Sequence, residues 1–364
     1  GQRVRVAQVE RNDDERATRR AAACAQHAHR HVDGRADHLA ADAPDQAQQS
    51  LFEMLVQPLL FHTGLSSIIE DAYDGTMWLL IGLLQITLLV VVFGTLQRVW
   101  PAEPVRDRQQ IRIDFLYTLI HRLGVFRLAL FFMIDPLWDE LSGQARLLGF
   151  TPWHLDGIWP GVTDGAIVSL LLYLLVFDAV DYFYHRAQHR FNWFWGLHSV
   201  HHSQRQMTMW SDNRNHLLDS LLRDTVLVLV AQLIGVKPGQ FVLIVVFTQL
   251  IESFSHANVR MCFGKWGDRV FVSPKFHRFH HSLAYDESTA GPAKGHNFSV
   301  LFPIWDIVFR TAKFDTGYVP TGVHDQQPEA GGRDYGRGFW AQQKLGLQRM
   351  FGSKTAGFKR KESV

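Results

Sequence analysis

Cysteine is almost absent from this chain: Cys24 and Cys262 are the only two among 364 residues. That scarcity excludes a disulfide framework and a cysteine-based zinc module. An excess of one charge is missing too. Lys and Arg number 37 against 35 Asp and Glu, a formal net charge of +2, so no overall field draws nucleic acid. The zinc-protease pattern His-Glu-x-x-His does not occur, and neither does a His-Pro-Gly-Gly haem motif, a Cys-rich iron–sulfur run or a Gly-rich dinucleotide fingerprint. Residues 1–50 lack Ile, Phe, Trp, Tyr and Met and hold a single Leu. Such a stretch cannot build a core. We expect it to be a disordered extension, or one translated upstream of a true start near Met54. The tract His27-Ala-His29-Arg-His31 reads as compositional bias rather than a metal site.

What the chain has in abundance is apolar runs and histidine. Met77–Gln97 carries no charge across about one bilayer thickness. Further apolar stretches run over Ile113–Ile134, Ile167–Tyr184, Leu217–Val236 and Gln240–Phe254, the last two joined by the turn signal Gly235-Val-Lys-Pro-Gly239. The connection after the first run and the segment after the third are rich in arginine, whereas 135–161 has only Arg146. Basic loops prefer the cytoplasm. The expected fold is an all-α integral membrane protein with about four to five transmembrane helices and a cytoplasmic histidine-lined di-metal domain. Trp193, Phe194 and Trp195 are expected in an interfacial aromatic belt. His121, inside a span, is an ionisable candidate.

Eleven of nineteen histidines lie between His185 and His296, eight of them in three clusters. These read His185-Arg-Ala-Gln-His189, His198-Ser-Val-His201-His202 and His277-Arg-Phe-His280-His281. Positions i, i+3 and i+4 share one helix face, so each cluster aims two or three imidazoles at one point. Neutral imidazole is the commonest metal ligand. Eight donors exceed one tetrahedral zinc and suit two metals. His216 and His256, at opposite ends of the apolar pair, could bring the set to ten, and His296 is a further candidate. Asp181 precedes His185 by one turn, and Glu252 stands four residues before His256. Both are candidates to orient an imidazole through its second nitrogen, a role His296 could share. Arg186 occupies the place of a protease glutamate, so hydrolysis lacks its base. Ligands at helix ends do not fit a midplane transporter site. Iron accepts imidazole and performs oxygen chemistry.

Asp181-Tyr-Phe-Tyr-His185-Arg-Ala-Gln-His189, Leu197–Ser203, Ser255-His-Ala-Asn258 and Phe276–Ser282 resemble the fatty acid hydroxylase/sterol desaturase superfamily. Asn297-Phe298 and Trp305–Thr311 resemble its C-terminal signature, and the likeness covers roughly residues 75–312. Leu217 departs from the proline that many relatives carry after the histidine matching His216. The resemblance implies a membrane di-iron oxygenase acting on a lipid C–H bond, with two iron ions and O2 as co-substrate. It implies ligation by His185, His189, His198, His201, His202, His277, His280 and His281, with His216 and His256 at less strictly defined positions.

Substrate is then expected to be a sterol, fatty acyl or related lipid, hydroxylated or desaturated, in a mostly apolar pocket. Electrons come from a separate ferredoxin or cytochrome b5-like donor with its reductase, for which Arg186, Arg190, Lys275 and Arg278 offer a basic face. A bacterial source would place the protein in the inner membrane. The alternative is a metal-binding membrane protein without redox turnover, a zinc-dependent hydrolase or metal carrier. The expected organisation is 1–50 extension, 51–160 N-terminal transmembrane part, 161–312 catalytic domain and 313–364 cytoplasmic tail. That tail is expected to carry a peripheral helix near Phe339–Phe351 and a basic end at Lys354–Lys361.

Overall fold

The computed structural model describes residues 45–124, 126, 135–283, 295–314 and 317–352. Among these residues there are helices and no strand; Pro101 with Val259 and Ser282 with Thr321 form isolated bridges. The chain forms two compact units, Gly1–Leu80 and Ile81–Val364. In the first, the Gln48 amide donates to Tyr73 O at 2.8 Å, and Phe52 meets the Tyr73 ring edge-on. Residues 45–50, the end of the stretch expected to be disordered, are helical; residues 1–44 and the basic end Lys354–Lys361 lie outside the described residues.

Three described helices are long and apolar enough to cross a membrane: α1 (Ser66–Val99), α3 (Ala166–Arg190) and α6 (Pro238–His256). Two shorter helices cover the other expected spans. They are α2 (Arg108–Arg122, 15 residues) and α5 (Leu217–Leu233, 17 residues), both below the roughly 20 residues of a full crossing. Residues 125 and 127–134 of the expected second span lie outside the described residues. The described count is thus three full-length helices against the four to five expected.

Local chemistry sets these helix ends. The Asp107 carboxylate accepts from the Gln109 and Gln110 N–H groups at 3.1 and 3.0 Å and starts α2. Pro238 opens α6 in the first turn, where its missing N–H costs nothing. In α3, Ile167, Leu171 and Leu175 recur every four residues on an exposed face, while Tyr173, Phe177, Asp178 and Asp181 are buried on the other. About 20 helical residues cross the hydrocarbon layer, and the twentieth from Ala166 is His185. The first histidine pair therefore lies at the C-terminal end of this membrane-length helix.

A single residue, Phe191, then turns the chain into α4 (Asn192–His202), whose C-terminal turns carry the second cluster. The third cluster lies on α7 (Pro274–His280) and its C-cap His281; Ser273 Oγ accepts from Phe276 N–H at 3.3 Å to start that helix. Two buried carboxylates pin the segment that follows. Asp178 accepts from Leu301 and Phe302 N–H at 2.7 and 3.0 Å, and Asp306 from Phe298 and Ser299 N–H at 2.9 and 2.8 Å. This irregular stretch can be buried because side chains satisfy its main-chain donors.

The C-terminal part holds α8 (Phe339–Met350), close to the helix expected there. It lies against α4 at two glycines. A Cβ on Gly196 would stand 2.5 Å from Met350 N, and one on Gly346 would stand 2.7 Å from His216 Cδ2. Gln343 locks the crossing: its Oε1 accepts from Leu217 N–H at 2.8 Å and its Nε2 donates to Tyr117 Oη at 3.0 Å.

Candidate metal centre

Nine buried histidines converge in two adjoining groups. His185, His189, His198, His202 and His280 offer five ring nitrogens within 4.8 Å of one another; His201, His256, His277 and His281 offer four. Each group draws on several helices. The helical spacing splits the second cluster, sending His198 and His202 to one group and His201 to the other. In the first group the Nε2 atoms of His189, His198 and His280 stand 3.2, 3.2 and 3.1 Å from that of His202. In the second, His256 Nε2 is 3.1 Å from both His201 and His277, and His281 is 3.2 Å from His277.

These separations fit a metal. Ligands at about 2.1 Å from one ion lie about 3.0 Å apart along an octahedral edge and about 3.4 Å along a tetrahedral one. Tautomers agree. His185 Nδ1 donates to Phe298 O at 2.7 Å, His256 Nδ1 to Glu252 O at 2.8 Å and His280 Nδ1 to His296 O at 2.7 Å. Each bond directs the Nε2 lone pair inward, as a second hydrogen bond does for metal-bound imidazole. His185 Nε2 is buried without any hydrogen-bond partner, which a metal ion would remedy.

Burial holds the imidazoles of His198, His201, His202, His277, His280 and His281 well below their usual pKa, with neighbouring imidazoles adding to the effect. They are neutral at pH 7 and available as donors. Because their folded values lie below the unfolded ones, the unfolded chain takes up protons first as pH falls. Their contribution is complete above about pH 6.5 and diminishes below it, by up to about 1.4 kcal/mol per pH unit for each histidine. We therefore expect the metal-free protein's unfolding temperature to drop steadily from pH 6.5 to 5 in calorimetric scans. An unchanged value over that range would rule out a core of neutral imidazoles.

Of the ten candidate ligands, the structure separates His216 from the rest. Its Nδ1 accepts from Leu218 N–H at 3.1 Å as the cap of α5, and its Nε2 donates to Gln343 O at 2.9 Å. With both nitrogens engaged, it is a helix cap and a contact to α8. His256, the other less strictly defined position, stands inside the second group.

The orienting groups are close to the expected residues but not always the expected atoms. Glu252 and His296 act on His256 and His280 through main-chain oxygens. The Asp181 carboxylate is held instead by Arg223, at 2.7 and 3.0 Å, and Arg223 also pairs with Glu252 at 2.9 Å. Asp219, absent from the sequence expectations, accepts from Tyr184 and Gln188 and lies 3.6 Å from His198 Nδ1. Its signal was available: Asp219 and Arg223 form an i, i+4 ionisable pair inside an apolar run. His121 lines the cavity beside the histidines.

Two other expectations change. Trp193 is exposed, but Phe194 packs edge-on against Tyr184, and the Trp195 ring lies 5.0 and 5.2 Å from those of His189 and His202. The aromatic triplet is thus partly a wall of the centre. Arg278 is buried, donating to Val319 O and pairing with Glu103 at 2.8 Å, so it cannot belong to a docking face.

Comparison with known proteins agrees with this geometry. The fatty acid hydroxylase family model matches residues 170–311. The ornithine lipid hydroxylase OlsE of Rhizobium tropici is 26% identical over 225 residues, covering 61% of this chain and 64% of that protein. The alkylglycerol monooxygenase of Caenorhabditis elegans is 26% identical over 186 residues, covering 50% of this chain and 31% of its own length. The chain thus spans less than two thirds of either relative. No solved structure matches it. Residues 170–311 thus match the fatty acid hydroxylase family, and two converging groups of histidines, three of them on membrane-length helices, accord with the resemblance to the fatty acid hydroxylase/sterol desaturase superfamily.

Proposed function

We propose that this protein is a non-haem di-iron oxidoreductase, O2-dependent, that hydroxylates or desaturates an unactivated C–H bond of a membrane lipid. The observation that carries this reading is the pair of adjoining groups, five and four buried imidazoles, gathered from the ends of two membrane-length helices and from the short helices α4 and α7. Nine neutral nitrogen donors suit two metals with neither coordination sphere filled. The names of the relatives, an ornithine lipid hydroxylase and an alkylglycerol monooxygenase, support a lipid as substrate and hydroxylation as the outcome.

Two irons, when bound, supply the redox capacity to activate O2 towards a C–H bond. For hydroxylation the balance is RH + O2 + 2e⁻ + 2H⁺ → ROH + H2O. The two electrons come from a separate ferredoxin or cytochrome b5-like donor with its reductase. The chain's own part is positional. Main-chain oxygens of Phe298, Glu252 and His296 aim three imidazoles. Arg223 ties α5 to α3 through Asp181 and to α6 through Glu252, fixing the helices behind the two groups. Residues 161–312 form the catalytic domain in this reading. The centre faces the cytoplasm, at the inner membrane if the source is bacterial.

Elemental analysis of freshly purified, detergent-solubilised protein tests the proposal. About two irons per chain are expected, with reductant-dependent O2 consumption that yields a lipid product one oxygen heavier or two hydrogens lighter. Bound zinc with no oxygen chemistry after iron reconstitution would favour the hydrolase or carrier instead.

A further inference from the structure

His185, His256 and His280 are each aimed by a main-chain oxygen. His198 is built differently. Its Nε2 faces His202 Nε2 at 3.2 Å inside the group of five, and its Nδ1 is buried without a hydrogen-bond partner. A carboxylate faces this Nδ1: Asp219 Oδ2 stands 3.6 Å away. Asp219 is 3% exposed and is itself clamped. Tyr184 Oη donates to Oδ1 at 2.9 Å, and Gln188 Nε2 reaches both oxygens at 2.8 Å. Oδ1 thus takes two donors and Oδ2 one, so the oxygen with spare capacity is the one turned to His198. Helical spacing makes the clamp. Tyr184 and Gln188 are four residues apart on α3, each directly before a histidine, His185 and His189. One face of that helix supplies two imidazoles, and the adjoining face, about 100° round, grips the carboxylate.

A metal takes an imidazole through a lone pair, so a neutral ring that binds through Nε2 carries its proton on Nδ1. A buried N–H needs an acceptor, and a negative charge beside Nδ1 favours the tautomer with the proton there. That preference is electrostatic and acts at 3.6 Å, beyond hydrogen-bond length. A carboxylate in this place also makes the imidazole a stronger donor. An amide would act the other way. Tyr184 and Gln188 both donate to Oδ1, so the oxygen of an asparagine would settle there and its NH2 would face His198. A donor at that point holds the lone pair on Nδ1 and leaves the proton on Nε2, where the metal must bind.

We propose that Asp219 is a positioning residue of the metal centre. Clamped by Tyr184 and Gln188, it fixes the tautomer and direction of His198, and so ties the first histidine cluster to the second through α5. The inference deepens the metal-centre reading and requires only that a metal binds. A zinc protein without oxygen chemistry would satisfy it as well as an iron oxygenase.

A double-mutant cycle tests it on metal-free, full-length protein in phosphatidylcholine nanodiscs, titrated with cobalt(II) and followed by visible absorption. His198→Ala identifies the binding step that belongs to the group of five. Asp219→Asn should weaken that same step about 10- to 100-fold, and more than Asp219→Ala does. In the His198→Ala background, Asp219→Asn should change the step by less than about twofold. A role confined to holding the helices gives the reverse: a milder loss for the isosteric Asn than for Ala, and an equal loss with and without His198. Either result overturns the inference and leaves the centre standing, as does parental affinity in Asp219→Asn. Should Asp219→Asn fail to fold, as judged by its unfolding temperature, Tyr184→Phe carries the same cycle. Its loss of affinity should be present with His198 and absent without it; an equal loss in both backgrounds, or none, overturns the inference. A parent protein that binds no cobalt(II) would sink the metal centre itself.

Discussion

Alanine at His201 or His280 is expected to strip metal from the centre and end turnover together. The two variants should not behave alike. His280 belongs to the group of five, so its loss leaves four donors; His201 belongs to the group of four, and its loss leaves three. Replacing groups that merely orient a metal-bound imidazole costs about 10- to 100-fold in affinity or activity. Loss of a ligand should reach at least the upper end of that range. His201→Ala should therefore retain less metal per chain than His280→Ala when both are purified side by side. His62→Ala, at an exposed histidine outside both groups, is the control and should hold metal like the parent protein. Full activity in both His201 and His280 variants would remove the assignment altogether.

The second large effect is expected far from any metal ligand. Gly196 lies on the helix that carries His198, His201 and His202, where α8 crosses it. A methyl group there would stand 2.5 Å from Met350 N and 2.8 Å from Arg349 C. Those are main-chain atoms and cannot rotate away, so α8 must shift. Overpacking of this kind costs about 1–3 kcal/mol. Gln343 is fastened to the start of α5 and to Tyr117, so displacement of α8 reaches α4 and its histidines. Gly196→Ala should lower both the unfolding temperature and the metal retained after dialysis against a weak chelator. Gly239→Ala, where an added Cβ meets nothing within 4 Å, should change neither. An unaltered metal content in Gly196→Ala would mean that the crossing does not support the centre.

Helix content and the histidine centre were legible in the sequence because both depend on short-range periodicity. Apolar runs about one bilayer long read as helices, and i, i+3, i+4 spacing read as convergent donors. Spacing within a cluster could not reveal that His201 parts from His198 and His202. That division depends on which neighbouring helices face each ring. His216 misled for a related reason: its position at a helix start is right for a ligand and equally right for a cap, and only the partner at Gln343 decides between them. Main-chain partners are also silent in sequence, which is why Glu252 and His296 were identified as residues while their active atoms were not. The ionisable side chains beside the histidines were hidden by averaging. Asp219, Ser220, Arg223 and Asp224 sit in a run whose overall character is hydrocarbon, and only the folded arrangement shows them sharing a wall.

Three of the nine imidazoles are aimed by oxygens of the peptide backbone, at Phe298, Glu252 and His296. Substitution changes side chains and leaves the peptide oxygen in place. Positions 296 and 298 can therefore exchange residues of similar bulk without releasing the rings they steer. Conservative substitutions there would pass over these two anchors, which would come to light only by replacing the amide with an ester or by displacing the whole loop. The orientation of His185 and His280 is in this sense a property of the loop's path, guarded by Asp178 and Asp306, more than of the residues threaded along it.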